Sequence, residues 1–426
     1  CFSCAKIALK TIVVPITLST SFNHRTVHTL ASFNRRYANH KYHLTNHFNN
    51  RYLQRGQMDR QMDRQMDRQM ASFSDNTSDN TSDNTSDNIT NDVNNDVNND
   101  VNNDVNNDVN NDEPNGGIVG LLQFHVSPIK SVNLSRLPTL VSNFLQSNPT
   151  TTLLVLPEIW NSPYAVDAFR DNAEPCPSPT SQTPPKINHK TSPSVHLLQS
   201  LSLKHSIHIA GGSIPEITEE GKVYNTALVF DPEGKCIARH RKVHLFDIDI
   251  PGGVTFKESD TLTAGDSLLT TFNHPKLGVV GLGICYDIRF PEMFLLHAST
   301  SSQIPESSGL DLFILPGAFN MSTGPKHWSL LQRARAVDTQ CYVVSASPAR
   351  TTQDMASEYE ELTNGKYGDP YVAWGHSMGV DPWGNIVSEA GVGEEGVVVE
   401  VRREVVEEFK HSVPTSKQKR GDLYRI

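Results

Sequence analysis

The sequence predicts an α/β fold with mixed sheets, and three features carry that reading. From Ile118 onward, short apolar runs alternate with segments whose apolar residues recur near the 3.6-residue helical period. Two turns, Asp231-Pro-Glu-Gly234 and Asp381-Pro-Trp-Gly384, join neighbouring runs as hairpins, so antiparallel pairs are mixed into the sheets. The 309 residues from Ile118 to the end suffice for a single domain that buries about three quarters of its unfolded surface.

Along the chain, Ile118 to Phe124, Leu153 to Leu156, Ile207 to Ala210, Val223 to Phe230 and Lys235 to Arg241 read as strands, being apolar or alternating runs of strand length. Gly278 to Ile284, Leu312 to Leu315, Cys341 to Ala346, Met378 to Val380 and Ile386 to Ser388 continue the series. Between them, Leu134 to Leu145, Val195 to His205, Pro291 to His297 and Lys326 to Thr339 keep helical spacing. The Pro-rich stretch Glu174 to Pro193 and the polar stretch Thr351 to Pro370 read as loop insertions at the rim of a site.

Ahead of this domain lies a different texture. Residues 1–58 hold eight Lys or Arg and five His but no Asp or Glu, which is the composition of an organelle transit peptide or of a disordered basic tail. Residues 59–117 are dominated by tetrapeptide repeats, QMDR (begun at Gln57), SDNT and NDVN. These are too short to form a packable unit and too poor in apolar residues to bury one, so they read as disordered spacer. The address expected of the chain is a mitochondrion or plastid if the first segment is a transit peptide, and the cytoplasm otherwise.

The whole chain carries 37 Lys and Arg against 47 Asp and Glu, a net charge of −10, which argues against a grip on nucleic acid. No apolar run approaches the roughly eighteen residues that cross a bilayer, so no membrane partner is expected. Six cysteines are too sparse for a disulfide scaffold and repeat no zinc spacing. The Cys1–Cys4 pair has redox spacing but no strand before it or helix after it.

Four residues stand where chemistry could occur. Cys285, in Gly281-Leu-Gly-Ile-Cys-Tyr-Asp-Ile-Arg-Phe290, follows a buried strand and precedes a helix, which exposes a sulfur on a tight turn. The next backbone N–H then faces a developing oxyanion. Glu158 ends the run Leu153-Leu-Val-Leu-Pro-Glu158, where apolar neighbours raise a carboxyl pKa toward that of a base working near neutrality. Lys242 closes a strand ahead of an apolar segment and offers a fixed cation to an oxyanion, and Glu258, sixteen residues on, could fold back to fix it. The plain alternatives are a structural thiol and surface charges. His244, one of seventeen histidines, is assigned a structural role.

In this order and spacing, Leu156-Pro-Glu158, Arg241-Lys242 and Gly283-Ile-Cys285 resemble the Glu-Lys-Cys triad of the nitrilase superfamily, the carbon-nitrogen hydrolases. Asn161-Ser-Pro-Tyr164, Gly211-Gly-Ser-Ile-Pro215, Pro316-Gly-Ala-Phe-Asn320 and Tyr371-Val-Ala-Trp-Gly-His376 look like its omega-amidase branch. The resemblance spans nearly all of residues 118–426. It implies a four-layer α-β-β-α sandwich with mixed sheets, a homodimer, no metal or organic cofactor, and a small 2-oxo acid amide as substrate. It also implies roles. Cys285 is the nucleophile and Glu158 the base, Lys242 and the Tyr286 backbone N–H hold the oxyanion, and Glu258 is a second, positioning glutamate. Arg289 clamps the substrate carboxylate, while Tyr164 and Phe319 line the pocket. The alternatives are an amidase acting on deaminated glutathione or on N-carbamoyl amines, or a catalytically silent scaffold. The loop after Asp171 and the segment Thr351 to Asp369 depart from the family pattern by looking extended.

Overall fold

The computed structural model describes residues 116–180, 182–249, 255–301 and 309–424. The tail and spacer expectations for residues 1–117 fall outside these, apart from the last two residues. From Gly116 onward the described residues belong to one compact unit.

In chain order the first half comprises β1 (Gly116–Gln123), α1 (Lys130–Ser147), β2 (Thr151–Val155), α2 (Val166–Asn172), α3 (Pro193–His205), β3 (His208–Ala210), β4 (Ile214–Ile217), β5 (Val223–Phe230) and β6 (Cys236–Arg241). A small hairpin, β7 (Asp247–Asp249) and β8 (Thr255–Lys257), follows. The second half comprises β9 (Thr271–His274), β10 (Gly278–Leu282), α4 (Pro291–Ser301), β11 (Leu312–Ile314), α5 (Gly324–Thr339), β12 (Tyr342–Ser345) and α6 (Gln353–Thr363). It closes with β13 (Met378–Val380), β14 (Ile386–Glu389), β15 (Glu395–Arg402), α7 (Arg403–Ser412) and α8 (Thr415–Gln418).

Two sheets result. The first runs β15-β1-β2-β3-β5-β4, with β6 paired to β5, and the second runs β14-β13-β12-β11-β10-β9. Strands β1, β2 and β3 are parallel, as are β10, β11 and β12, while the outer strands are antiparallel, so both sheets are mixed.

The period-2 alternation of the strands explains why four layers form. Val119, Leu121, Leu153 and Val155 of the first sheet meet Val280, Leu282, Leu312, Ile314 and Val344 of the second in one buried cluster between the sheets. Their neighbours point the other way. Leu122, Leu154 and Ile209 pack on Leu137, Val141, Val195 and Leu198 of α1 and α3, and Val279, Phe313 and Val343 pack on Phe294, Trp328 and Ala336 of α4 and α5. Each strand of the two centres therefore buries both faces, and each wholly buried aliphatic side chain contributes about 1.5–3 kcal/mol. Gly120 fits this scheme because a Cβ there would lie 2.4 Å from the Phe144 ring of α1.

One expectation needs correction. The stretch Thr351 to Pro370 is not a loop throughout: it contains α6, capped at its start by the Thr352 hydroxyl, which accepts from the Met355 N–H at 3.3 Å, and closed by Asn364 in the left-handed region. Strand β4 lies outside the expected set because Pro215 interrupts its pattern. The missing N–H of Pro215 costs no ladder bond: β4 pairs with β5 on one side, and on the other the Pro215 carbonyl and the Ile217 N–H take up Glu174.

Candidate active site

The site is built where parallel strands of both sheets end, the position at which open α/β sheets commonly hold ligands. Glu158 lies three residues beyond β2. The chain around it is held by Gly212, whose φ is +59° and which approaches so closely that a Cβ would sit 1.9 Å from the Pro157 carbonyl oxygen. Ser213 completes the brace: its N–H donates to Pro157 O at 3.1 Å, and its hydroxyl accepts from the Ile159 N–H at 3.1 Å. Ile159 itself is left-handed, with φ of 48°, a strained state for a β-branched residue.

Lys242 follows β6 directly. Because side chains alternate, Arg241 faces away from the site and is fixed by two bonds to buried Glu216, at 2.8 and 2.6 Å, while Lys242 turns inward. Its Nζ donates to Glu158 Oε1 at 3.0 Å and to Glu258 Oε1 at 2.9 Å, and all three residues are fully buried. Glu158 accepts further from Asn225 Nδ2 at 2.9 Å, from the Tyr164 hydroxyl at 3.3 Å and, through Oε2, from the Ala318 N–H at 2.9 Å. Glu258 is held by the Tyr164 hydroxyl at 2.7 Å and the Phe246 N–H at 2.7 Å.

Cys285 opens the short turn of residues 285–289 beyond β10. It is left-handed, with φ of 46°, and its N–H is tied to Pro316 O at 2.8 Å. Its thiol is buried in the same pocket as Glu158 and Lys242, whose opposite charges act on it. The Tyr286 N–H has no acceptor among the described residues, which leaves it open to an oxyanion. Arg289, at the end of the turn, lies over the Phe319 ring at 4.9 Å and the Tyr286 ring at 5.5 Å. Its Nη1 donates to His327 Nδ1 at 3.1 Å, and no carboxylate among the described residues pairs with it.

The electrostatics follow from burial. Desolvation, and then the Glu158 charge, push the Cys285 thiol well above the ordinary thiol range. Burial alone would lower Lys242, but Glu158 and Glu258 overcome it and hold the ammonium well above the ordinary lysine range. Burial raises Glu258 against the pull of Lys242, and burial beside both carboxylates raises Tyr164. Such an arrangement can keep a thiol protonated until a base removes its proton next to an ammonium, which suits acyl transfer through sulfur.

All eight residues singled out from the sequence, Glu158, Tyr164, Lys242, Glu258, Cys285, Tyr286, Arg289 and Phe319, are drawn into this one region. His244 is not spent on the thiol: its N–H and Nδ1 both bond Asp287 Oδ1, at 2.9 and 2.8 Å. Sequence reasoning passed over Asn225, Asp287, the Phe246 N–H and Tyr371. Tyr371 packs on Tyr164 with ring centroids 4.6 Å apart and shares two cavity walls with it. Asn225 carried a signal, since it is a polar residue in the middle of the buried run Val223 to Phe230. A backbone N–H carries none.

A profile of the carbon-nitrogen hydrolase family matches residues 118–411. The chain belongs to the carbon-nitrogen hydrolase family. It is therefore a hydrolase of carbon-nitrogen bonds other than peptide bonds. Within the family it is 44% identical over 308 residues to mouse "Omega-amidase NIT2", covering 72% of this chain and 96% of the relative. It is 44% identical over 300 residues to "Omega-amidase NIT3" of Saccharomyces cerevisiae, covering 70% and 91%. The crystal structure of S. cerevisiae Nit3, described as a member of branch 10 of the nitrilase superfamily, superposes with a TM-score of 0.59 at 41% identity, covering 72% of this chain and 97% of that one. The four-layer architecture is thus that of the nitrilase superfamily.

Proposed function

We propose that this carbon-nitrogen hydrolase is an omega-amidase that hydrolyses the terminal amide of 2-oxoglutaramate or 2-oxosuccinamate to the 2-oxo dicarboxylic acid and ammonia. The observation that carries the substrate class is Arg289. A half-buried guanidinium stacked on aromatic faces, with an imidazole lone pair as its only polar partner among the described residues, is suited to receive a carboxylate from the substrate.

In this reading Glu158 takes the Cys285 proton and the thiolate attacks the amide carbon. Lys242 and the Tyr286 N–H stabilise the oxyanion. The C–N bond then breaks with the proton returned to the leaving nitrogen, so ammonia departs and a thioester remains. A water that loses its proton to Glu158 cleaves the thioester and restores the thiol. Glu258 and Tyr164 fix the lysine, and Phe319 supports the arginine. The exposed apolar side chains Leu330, Val337 and Trp383 support a homodimer packed through α5. A transit-peptide role for residues 1–58 would direct the chain to a mitochondrion or plastid.

The test is ammonia release from 2-oxoglutaramate, 2-oxosuccinamate and deaminated glutathione side by side. Cys285→Ala should release none. Arg289→Ala should lower kcat/KM for the carboxylate-bearing amides by about a hundredfold, the worth of a lost charge-assisted pair, and change an uncharged amide little. An equal loss on both kinds of amide would remove Arg289 from the clamp role.

A further inference from the structure

Asp287 lies two residues after Cys285, is fully buried, and is the meeting point of two segments that are far apart in sequence. Its Oδ2 accepts from the Ile284 N–H, on the nucleophile's own turn, at 2.9 Å and from His240 Nε2 at 3.2 Å. Its Oδ1 accepts from the His244 N–H at 2.9 Å and from His244 Nδ1 at 2.8 Å. His240 and His244 stand two residues before and two residues after Lys242, so the carboxylate grips the lysine segment on both sides of the lysine.

A carboxylate only accepts, so both histidines are committed as donors: His240 through Nε2, with Nδ1 on the Thr270 hydroxyl at 3.1 Å, and His244 through Nδ1. The His244 ring is stacked on Phe290, centroids 3.7 Å apart, which fixes its plane. Burial would raise the Asp287 carboxyl, but the bonds from His240 and His244 outweigh it and hold the group below the ordinary carboxylate range, so its charge persists at working pH.

We propose that Asp287, acting through His240 and His244, is a positioning residue that sets the Lys242 ammonium against the Cys285 thiol. It joins the nucleophile turn of one sheet to the lysine segment of the other, and it touches neither substrate nor reacting atom. The left-handed Cys285 needs such a restraint, because a non-glycine residue holds that conformation only when its surroundings impose it. The inference rests on the hydrolytic reading only in so far as Cys285 and Lys242 act together, and it does not depend on which amide is the substrate.

The test uses the full chain with its best amide substrate, with thermal unfolding measured in parallel. Asp287→Asn keeps the size but places an amide N–H₂ against donors. It should lower kcat ten- to hundredfold with KM within about twofold, a loss of transition-state geometry rather than of binding. The second pair of variants is at His244, whose side chain is partly exposed, unlike that of Asp287. His244→Asn retains a side-chain donor and should keep several-fold more kcat than His244→Leu, at equal melting temperature. A folded Asp287→Asn enzyme with wild-type kcat, a loss expressed in KM, or equal activities of the two His244 variants would overturn the proposal. Loss of all activity in Cys285→Ala with unaltered Asp287 variants would leave the hydrolase reading standing and remove this one alone.

Discussion

Cys285 sits among groups that oppose its ionisation, being buried against the Glu158 carboxylate, with Lys242 the counteracting charge. The raised thiol fixes a sign. A free thiol titrates at about pH 8.5, so below that pH both folded and unfolded chains keep the proton. As pH rises from there toward the higher folded value, the unfolded chain loses its proton first and the fold loses stability. The same shift predicts how the resting enzyme meets an alkylating agent. Inactivation by iodoacetamide should accelerate about tenfold per pH unit from pH 7 to 9 without a plateau, because only the scarce thiolate reacts. A plateau near neutrality would mean a preformed thiolate–lysine pair. At this scale the sequence was most informative where a reactive residue stood at the end of an apolar strand, as at Glu158 and Cys285, or led into an apolar segment, as at Lys242. Asp287 and Asn225 were harder to see, since their partners lie 43 and 67 residues away and nothing local announces such a meeting.

Helix α6 shows what an insertion does when it folds. Its Met355 and Tyr359 line the cavity that reaches Glu158, Tyr164 and Tyr371, so the element forms a wall of the site rather than an ornament at its rim. The segment is tied to α2 by exposed contacts, Lys366 Nζ and the Tyr367 hydroxyl to Asp171 Oδ2 at 2.6 and 3.3 Å. Only Tyr359 and Thr363 of the helix are buried, so its removal should leave the sandwich intact. Replacing residues 353–366 with a short Gly-Ser linker should shift the kcat/KM ratio of deaminated glutathione over 2-oxoglutaramate upward by about tenfold, within the range that pocket shape controls. An unchanged ratio would mean that α6 has no part in selecting length. Its charged composition disguised it as a loop, although Met355, Tyr359 and Leu362 keep helical spacing and Thr352 and Asn364 are suitable caps. The central strands and the four large helices were legible for the opposite reason. Both faces of each central strand are buried, so their apolar runs are uninterrupted, whereas β4, β7, β8 and β9 carry too few residues for a pattern and the edge strand β15, half exposed and interrupted by charges, was missed despite its eight residues.

For the molecule as a whole, the family match begins at Ile118, and the strand that carries it, β1, is paired on both sides, with β15 and β2. A chain starting at Asn115 should therefore retain the full kcat/KM and melt within a few degrees of the complete chain. A large loss of either would give the first hundred residues a part in folding or catalysis that composition does not suggest. That helices cover the faces of mixed sheets was readable from alternation, and the four-layer order followed from the family resemblance, but which strand ends converge was not legible in the residues, because that depends on how one sheet is laid on the other. Glu158 and Lys242 extend from the sheet built on β1, Cys285 and the Ala318 N–H from the sheet built on β10. Neither half holds a working set by itself. A molecule whose two sheets have begun to slide apart is already inert while every strand is still paired, so turnover should fail ahead of any loss of secondary structure as the protein is heated.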